Sequence, residues 1–164
     1  MKKPHKMKAV ELSYEDLTGS EEFRTATMPI TREMIVAFAA QFDPQPFHLD
    51  EEAGKKSIFG GLAASGWMTA ALTMRLVLEG EPRFTGGAIG LGIDSIAWPR
   101  PVRPGDHLSA VSTIVSKRLS QSKPDYGIVK LRTTATNQHA EVVQVMVASI
   151  LVHRRGTASG KKGG

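Results

Sequence analysis

The 164-residue sequence contains no cysteine, few aromatic residues and no long apolar run. The lack of cysteine excludes disulfides, thiolate metal sites and cysteine nucleophiles. No apolar segment reaches the roughly 20 residues that a membrane-spanning helix requires, and no apolar signal-peptide core follows the basic start of the chain. The length suits one domain, and 41% hydrophobic residues are ordinary for a globular protein. We therefore expect a soluble, cytoplasmic protein with no membrane partner.

The net charge of +5 comes from the two ends of the chain. The segments "MKKPHKMK" and "RRGTASGKKGG" each carry four basic residues, and the remainder has 13 basic against 16 acidic residues. No aromatic-rich basic surface accompanies these ends, so we expect no nucleic-acid partner. The pattern predicts a flexible basic head over residues 1–12, one domain over 13–153 and a flexible basic tail over 154–164.

The first half of the chain has helical patterns. Thr31 is suited to be the N-cap of a helix that runs to Phe42, and the prolines of "DPQP" must end that helix. A short helical turn is expected to start at Asp50 and to stop near Gly54. Apolar residues recur in the first helix at helical spacing, namely Met34, Ile35, Phe38 and Phe42.

A long helix is predicted between Gly61 and Gly80. It carries no charge from Gly61 to Met74, and a helix that is apolar nearly all round is buried on most sides. One early strand is expected around "FRTATMPIT". Three or four long strands follow the helix in "AIGLGIDSIAWPRPV", "SAVSTIVSKRLS", "IVKLRTTATNQ" and "EVVQVMVASILVHR". Helices followed by strands without alternation indicate an α+β domain, here an antiparallel sheet wrapped around the long central helix.

Between the two long helices lies the pattern Asp43-x-x-Pro46-x-His48, followed by Gly61. It resembles the hydratase motif Gly-Asp-x-Asn-Pro-aliphatic-His of the MaoC-like dehydratases, also called R-specific enoyl-CoA hydratases, which have the hot-dog fold. The resemblance extends over residues 23–152. Three positions depart from the motif, namely Phe42, Gln45 and Phe47 in place of glycine, asparagine and an aliphatic residue.

The resemblance implies a reversible hydration of a trans-2-enoyl thioester to the R-3-hydroxyacyl thioester. Asp43 and His48 would be the catalytic pair, and the N–H of Gly61 would bind the thioester oxygen. Ser65 and Gln45 are further candidate substrate-binding residues. The family implies no metal and no redox cofactor, coenzyme A being part of the substrate, or acyl carrier protein in its place. It also implies a homodimer, or a dimer of dimers, with the acyl tunnel at or near the interface.

The chemistry of the reaction needs these residue types. Water is a weak nucleophile and requires a base, a role that imidazole and carboxylate groups perform near neutral pH. The two prolines stiffen the loop between Asp43 and His48, which favours one fixed geometry. The first N–H groups of a helix have no intrahelical partner, and the helix dipole is positive there, so they suit a developing oxyanion.

Two other functions stay open from the sequence. A hot-dog thioesterase usually employs an acid on or near the central helix, whereas here the first acid on that helix is Glu79. A non-catalytic acyl-CoA-binding dimer is the other alternative, because Phe42, Gln45 and Phe47 crowd the motif. The sequence leaves open the length and the substituents of the acyl chain.

Overall fold

The computed structural model describes residues 10–80 and 82–157. Within this part of the chain, eight strands and four α-helices follow in the order β1 (Glu11–Leu12), β2 (Glu22–Arg24), β3 (Met28–Pro29), α1 (Arg32–Phe42), α2 (Pro46–Leu49), α3 (Glu51–Lys56), α4 (Gly66–Glu79), β4 (Arg83–Phe84), β5 (Ala88–Ala97), β6 (His107–Leu119), β7 (Tyr126–Thr136) and β8 (Val142–His153). A 3-10 turn (Tyr14–Asp16) follows β1.

The main sheet is antiparallel and has the strand order β2-β6-β7-β8-β5, with β3 also paired to β6. The four long strands are those that the sequence predicts. The early strand is divided into β2 and β3. The pattern missed the short parallel pair of β1 and β4, because two-residue strands carry no alternation. The sheet and helix confirm the predicted α+β class.

Helix α1 begins and ends where the sequence predicts. The side chain of Thr31 accepts a hydrogen bond from the N–H of Met34 over 3.2 Å, so Thr31 is the N-cap. Helix α3 differs from the prediction because it continues past Gly54 to Lys56. Gly54 serves close packing instead, since a Cβ there would lie 2.5 Å from the carbonyl carbon of Gly61.

Helix α4 starts at Gly66, so the predicted start at Gly61 is wrong. Ser65 is the N-cap, and its side chain accepts from the N–H of Trp67 over 3.2 Å. The segment before Ser65 is not helical because its backbone bonds elsewhere. Ala63 N–H donates to the carbonyl of Phe47, and Ala64 N–H donates to the carbonyl of Val102.

One face of α4 packs on the sheet, with Met68, Thr69, Thr73 and Leu76 buried. The opposite face of the isolated chain is open, which corrects the prediction of a helix buried on most sides. Its apolar side chains Trp67, Met74 and Leu78 are 58%, 48% and 61% exposed. The main core lies between α1, α4 and the sheet, and each large apolar side chain buried there contributes roughly 1.5–3 kcal/mol.

The folded region extends beyond the predicted limits 13–153. Strand β1 lies within the predicted head, and Arg154 and Arg155 of the predicted tail bond to Glu15 and Asp16. Residues 1–9 and 158–164, which form the rest of the head and the tail, lie outside the described residues. Across the described ranges, no helix has the length and apolar character needed to cross a bilayer.

Candidate active site

The structure brings together the two predicted catalytic side chains. Asp43 directly follows α1, and His48 lies in α2, the short helix that Pro46 opens. Proline fits the first position of a helix because its φ is already helical and no N–H is lost there. The resulting bend sets His48 Nε2 at 3.5 Å from Asp43 Oδ2. His48 is buried, being 5% exposed.

A backbone carbonyl fixes the orientation of His48. Its Nδ1 lies 2.7 Å from the carbonyl oxygen of Ala63. A carbonyl can only accept, so Nδ1 carries the proton in that bond. In the neutral ring, Nε2 is then the unprotonated nitrogen, with its lone pair directed to the side of Asp43.

Two side chains hold the carboxylate of Asp43. Ser65 Oγ donates to Oδ2 over 2.7 Å, and Gln45 Nε2 donates to Oδ1 over 3.1 Å. The Ser65 hydrogen bond is the main cause that lowers the pKa of Asp43, with Gln45 and the charge of His48 acting in the same direction and burial opposing them. Ser65 and Gln45, predicted to bind substrate, therefore lie in this structure as partners of the carboxylate.

Gly61 does not occupy the start of the long helix. It lies five residues before Gly66, and its backbone packs against Gly54. The first N–H of α4 belongs to Gly66. A hydrogen-bond donor at the start of the long helix is therefore the N–H of Gly66 and not that of Gly61. The sequence held a signal for it, because a serine before an apolar helical run is a preferred N-cap. A Cβ on Gly66 would lie 2.6 Å from the indole of Trp98.

His48 and Gly66 line a common cavity of about 560 Å³, here called the His48 cavity. Its wall also includes Thr69, Trp98, Arg100 and Arg103. Asp43 is not among its described lining residues and joins it through His48. Arg103 is anchored by a hydrogen bond to the carbonyl of Phe59. In residues 10–80 and 82–157, no three His, Asp or Glu side chains come together as metal ligands would.

A second cavity, of about 430 Å³, lies between the later turns of α4 and the sheet, and we call it the sheet cavity. Apolar side chains form most of its wall, including Phe23, Met74, Val77, Leu131 and Met146. This cavity was not predicted, because its wall combines residues of α4 with residues from seven of the eight described strands.

The fold and this site can be compared with known proteins. The family model described as MaoC like domain matches residues 17–137. The chain belongs to the MaoC-like domain family. A MaoC-like dehydratase from Rhodospirillum rubrum is 47% identical, with a TM-score of 0.84 over 88% of this chain and 98% of that one. The unliganded R-hydratase of Pseudomonas aeruginosa is 25% identical, with a TM-score of 0.70 over 90% and 89% of the two chains.

Among curated proteins, the 3-hydroxyacyl-thioester dehydratase Z of Mycobacterium tuberculosis is 36% identical over 59% of this MaoC-like chain and 66% of its own length. These relatives confirm the hot-dog fold and place the chain in a family of hydro-lyases. The departures from the motif leave the pair intact. Phe42 packs on Phe38, and Phe47 packs on Phe59 and makes a T-shaped contact with the His48 ring.

Proposed function

We propose that this MaoC-like protein catalyses the reversible hydration of a trans-2-enoyl thioester to the R-3-hydroxyacyl thioester. The observation that carries the proposal is the position of His48 Nε2, which lies 3.5 Å from Asp43 Oδ2 while the carbonyl of Ala63 holds Nδ1. Its relatives named R-hydratase and 3-hydroxyacyl-thioester dehydratase support this class of reaction. The carrier is coenzyme A or acyl carrier protein.

In the hydration direction, a water molecule binds beside the pair, within hydrogen-bond reach of both Asp43 and His48. Nε2 accepts one proton while the water oxygen bonds to C3 of the enoyl group. Asp43 accepts a hydrogen bond from the remaining O–H and stabilises the charged imidazole. Nε2 then delivers its proton to C2, so that H and OH add to the same face and His48 returns to its neutral form. General acid–base catalysis of this kind contributes roughly 100- to 10,000-fold in rate.

During the reaction the thioester oxygen gains negative charge and needs a donor. We assign this role to the N–H of Gly66, the first of α4, in place of Gly61. The N–H of Trp67 already bonds to Ser65, which leaves Gly66 as the terminal donor beside the His48 cavity. One such donor is worth about 100- to 1,000-fold in rate.

The acyl chain would run along α4 from the His48 cavity to the sheet cavity. Thr69 lines the first cavity, and Thr73 and Val77 line the second. These three residues are four positions apart and form one line on the helix surface. An acyl chain that leaves the thioester at Gly66 therefore meets an apolar cavity next along this line.

The protein is expected to act as a homodimer through β5. This strand is the last in the sheet, and its side chains Ile89, Leu91 and Ile93 are about half exposed, at 52%, 51% and 52%. Helix α4 also has an exposed apolar face that a second copy could cover. An unpaired edge strand with apolar side chains favours pairing with another chain, and a second copy supplies an identical strand.

The alternatives have less support in the geometry. A thioesterase acid on α4 would have to be Glu79, which stands at the last residue of the helix and pairs with Arg75 over 2.7 Å. A binding-only protein would not need a buried histidine held 3.5 Å from a carboxylate. Phe42 and Phe47 pack on neighbouring rings and leave the geometry of the Asp43–His48 pair intact.

The experiment that tests the proposal follows the absorbance of the conjugated enoyl thioester. Purified protein is mixed with crotonyl-CoA and, separately, with trans-2-decenoyl-CoA. A decay with the wild type that His48→Ala lacks supports the hydratase. If neither thioester decays while both raise the melting temperature, the binding-only function is favoured instead, and release of free coenzyme A would identify a thioesterase.

A further inference from the structure

A buried hydroxyl without a partner lies on the wall of the sheet cavity. Thr73 is fully buried, and its Oγ1 has no hydrogen-bond partner among the described residues. An unsatisfied buried polar group costs about 1–3 kcal/mol, and such groups in native proteins have a reason. Thr73 also lines the sheet cavity, and its hydroxyl, which is covered in this structure, meets a ligand there after a rotation about χ1, since threonine in a helix has two χ1 rotamers.

The sheet contributes two further hydroxyls to the same cavity. Ser112 on β6 and Thr133 on β7 face each other in register and are 2.7 Å apart between their oxygens. They are 1% and 5% exposed. Two hydroxyls that share one hydrogen bond retain one free donor hydrogen and free acceptor lone pairs. With Thr73 on the helix side, they form a belt of hydroxyls, which we call the hydroxyl belt.

The belt is neutral, which limits what it can bind. Among the described lining residues, the cations are Arg24 and Arg83, and both are exposed. Arg24 also pairs with Glu22. A buried carboxylate without a cation is strongly disfavoured, whereas a hydroxyl or oxo group can exchange hydrogen bonds with all three residues.

We propose that the hydroxyl belt recognises a neutral oxygen substituent, hydroxyl or oxo, on the distal part of the acyl chain. The inference rests on the proposed function and names its substrate class. Thr73 lies seven residues after Gly66, which is about 10 Å along a helix at 1.5 Å per residue. A medium-length acyl chain from a thioester held at Gly66 places its far end beside Thr73.

The test compares two thioesters of equal chain length, trans-2-decenoyl-CoA and its ω-hydroxylated form. Wild-type protein should show a kcat/KM about tenfold higher for the hydroxylated substrate, the effect of one hydrogen bond to a buried partner. Thr73→Val, which keeps the side-chain shape, should remove that preference, so that the ratio of the two kcat/KM values falls to about one. Thr134→Val is the matched control. Thr134 follows Thr133 on β7 and so points to the face of the sheet opposite to the sheet cavity.

A second readout needs no substrate. Thr73→Val removes an unsatisfied hydroxyl and should raise the melting temperature, whereas Thr133→Val breaks the bond to Ser112 and should lower it. Equal kcat/KM for the two thioesters, or a preference that survives Thr73→Val, overturns the inference and leaves the hydratase function standing. No turnover of either thioester overturns the proposed function, and this inference with it.

Discussion

The hydroxyl of Ser65 donates to Oδ2 of Asp43 over 2.7 Å, although the two residues are 22 positions apart in sequence. The same hydroxyl accepts from the N–H of Trp67 and so caps α4. One side chain thus fixes both the carboxylate that faces His48 and the helix start that presents the N–H of Gly66. The two halves of the candidate active site cannot move independently while this hydrogen bond persists.

Replacement of either member of the pair should abolish turnover. Asp43→Asn keeps the shape and an acceptor for Ser65 but loses the charge. His48→Asn retains an amide donor that can bond to the carbonyl of Ala63. We expect each variant to lose roughly 100-fold or more in kcat while far-UV circular dichroism stays unchanged. Activity within tenfold of wild type in either variant would contradict the assigned roles.

Ser65→Ala should raise the pKa of Asp43, because its largest lowering cause is lost. The pKa of Asp43 in the folded protein lies below its ordinary value of 3.8, so the group stabilises the fold above that pH and this contribution is lost as the pH falls through the folded pKa. The destabilisation by Ser65→Ala should therefore shrink in acid, down to the pH-independent loss of the helix cap, about 0.5–2 kcal/mol.

Urea unfolding of wild type and Ser65→Ala between neutral pH and strong acid measures that difference. The matched control is the same substitution in the Asp43→Asn background, where the pH-dependent part should vanish. A destabilisation that stays constant with pH in both backgrounds would mean that Ser65 acts on the helix alone.

Gly66→Ala should destabilise the protein through Trp98. The added Cβ would lie 2.6 Å from the indole, and such overpacking costs typically about 1–3 kcal/mol. Trp98→Ala makes room, so Gly66→Ala should cost much less in that background, a coupling that a double-mutant cycle in urea measures. Additive costs would show that the indole does not set the requirement for glycine.

Ile93→Lys should prevent the dimer proposed through β5. Lysine on an edge strand opposes edge-to-edge pairing with another chain, so size-exclusion chromatography with light scattering should report a monomer with lower activity. Val115→Lys on β6 is the matched control, since Val115 is exposed to a similar extent, 54% against 52%. A dimer that survives Ile93→Lys but not Val115→Lys would place the interface elsewhere.

Local sequence patterns predicted the helix limits and the long strands, because these depend on residues that are close in the chain. Thr31 and the prolines set the limits of α1, and alternation set the long strands β5 to β8. The spacing of Asp43 and His48 placed both at the same bend, because Pro46 can open a helix but cannot continue one. The start of α4 was missed since Gly61 and Gly66 both look like helix starts locally. Long-range backbone bonds from Ala63 and Ala64 decide between them.

Residue types and their spacing were enough to predict the class of fold, the acid–histidine pair and the resemblance to a hydratase motif. The folded chain was needed to show that Ser65 bonds to Asp43, that α4 starts at Gly66 and not at Gly61, and that Thr73 lines one cavity with Ser112 and Thr133. These features could not be predicted because they depend on distances between side chains far apart in the sequence, which the packing of α4 on the sheet sets.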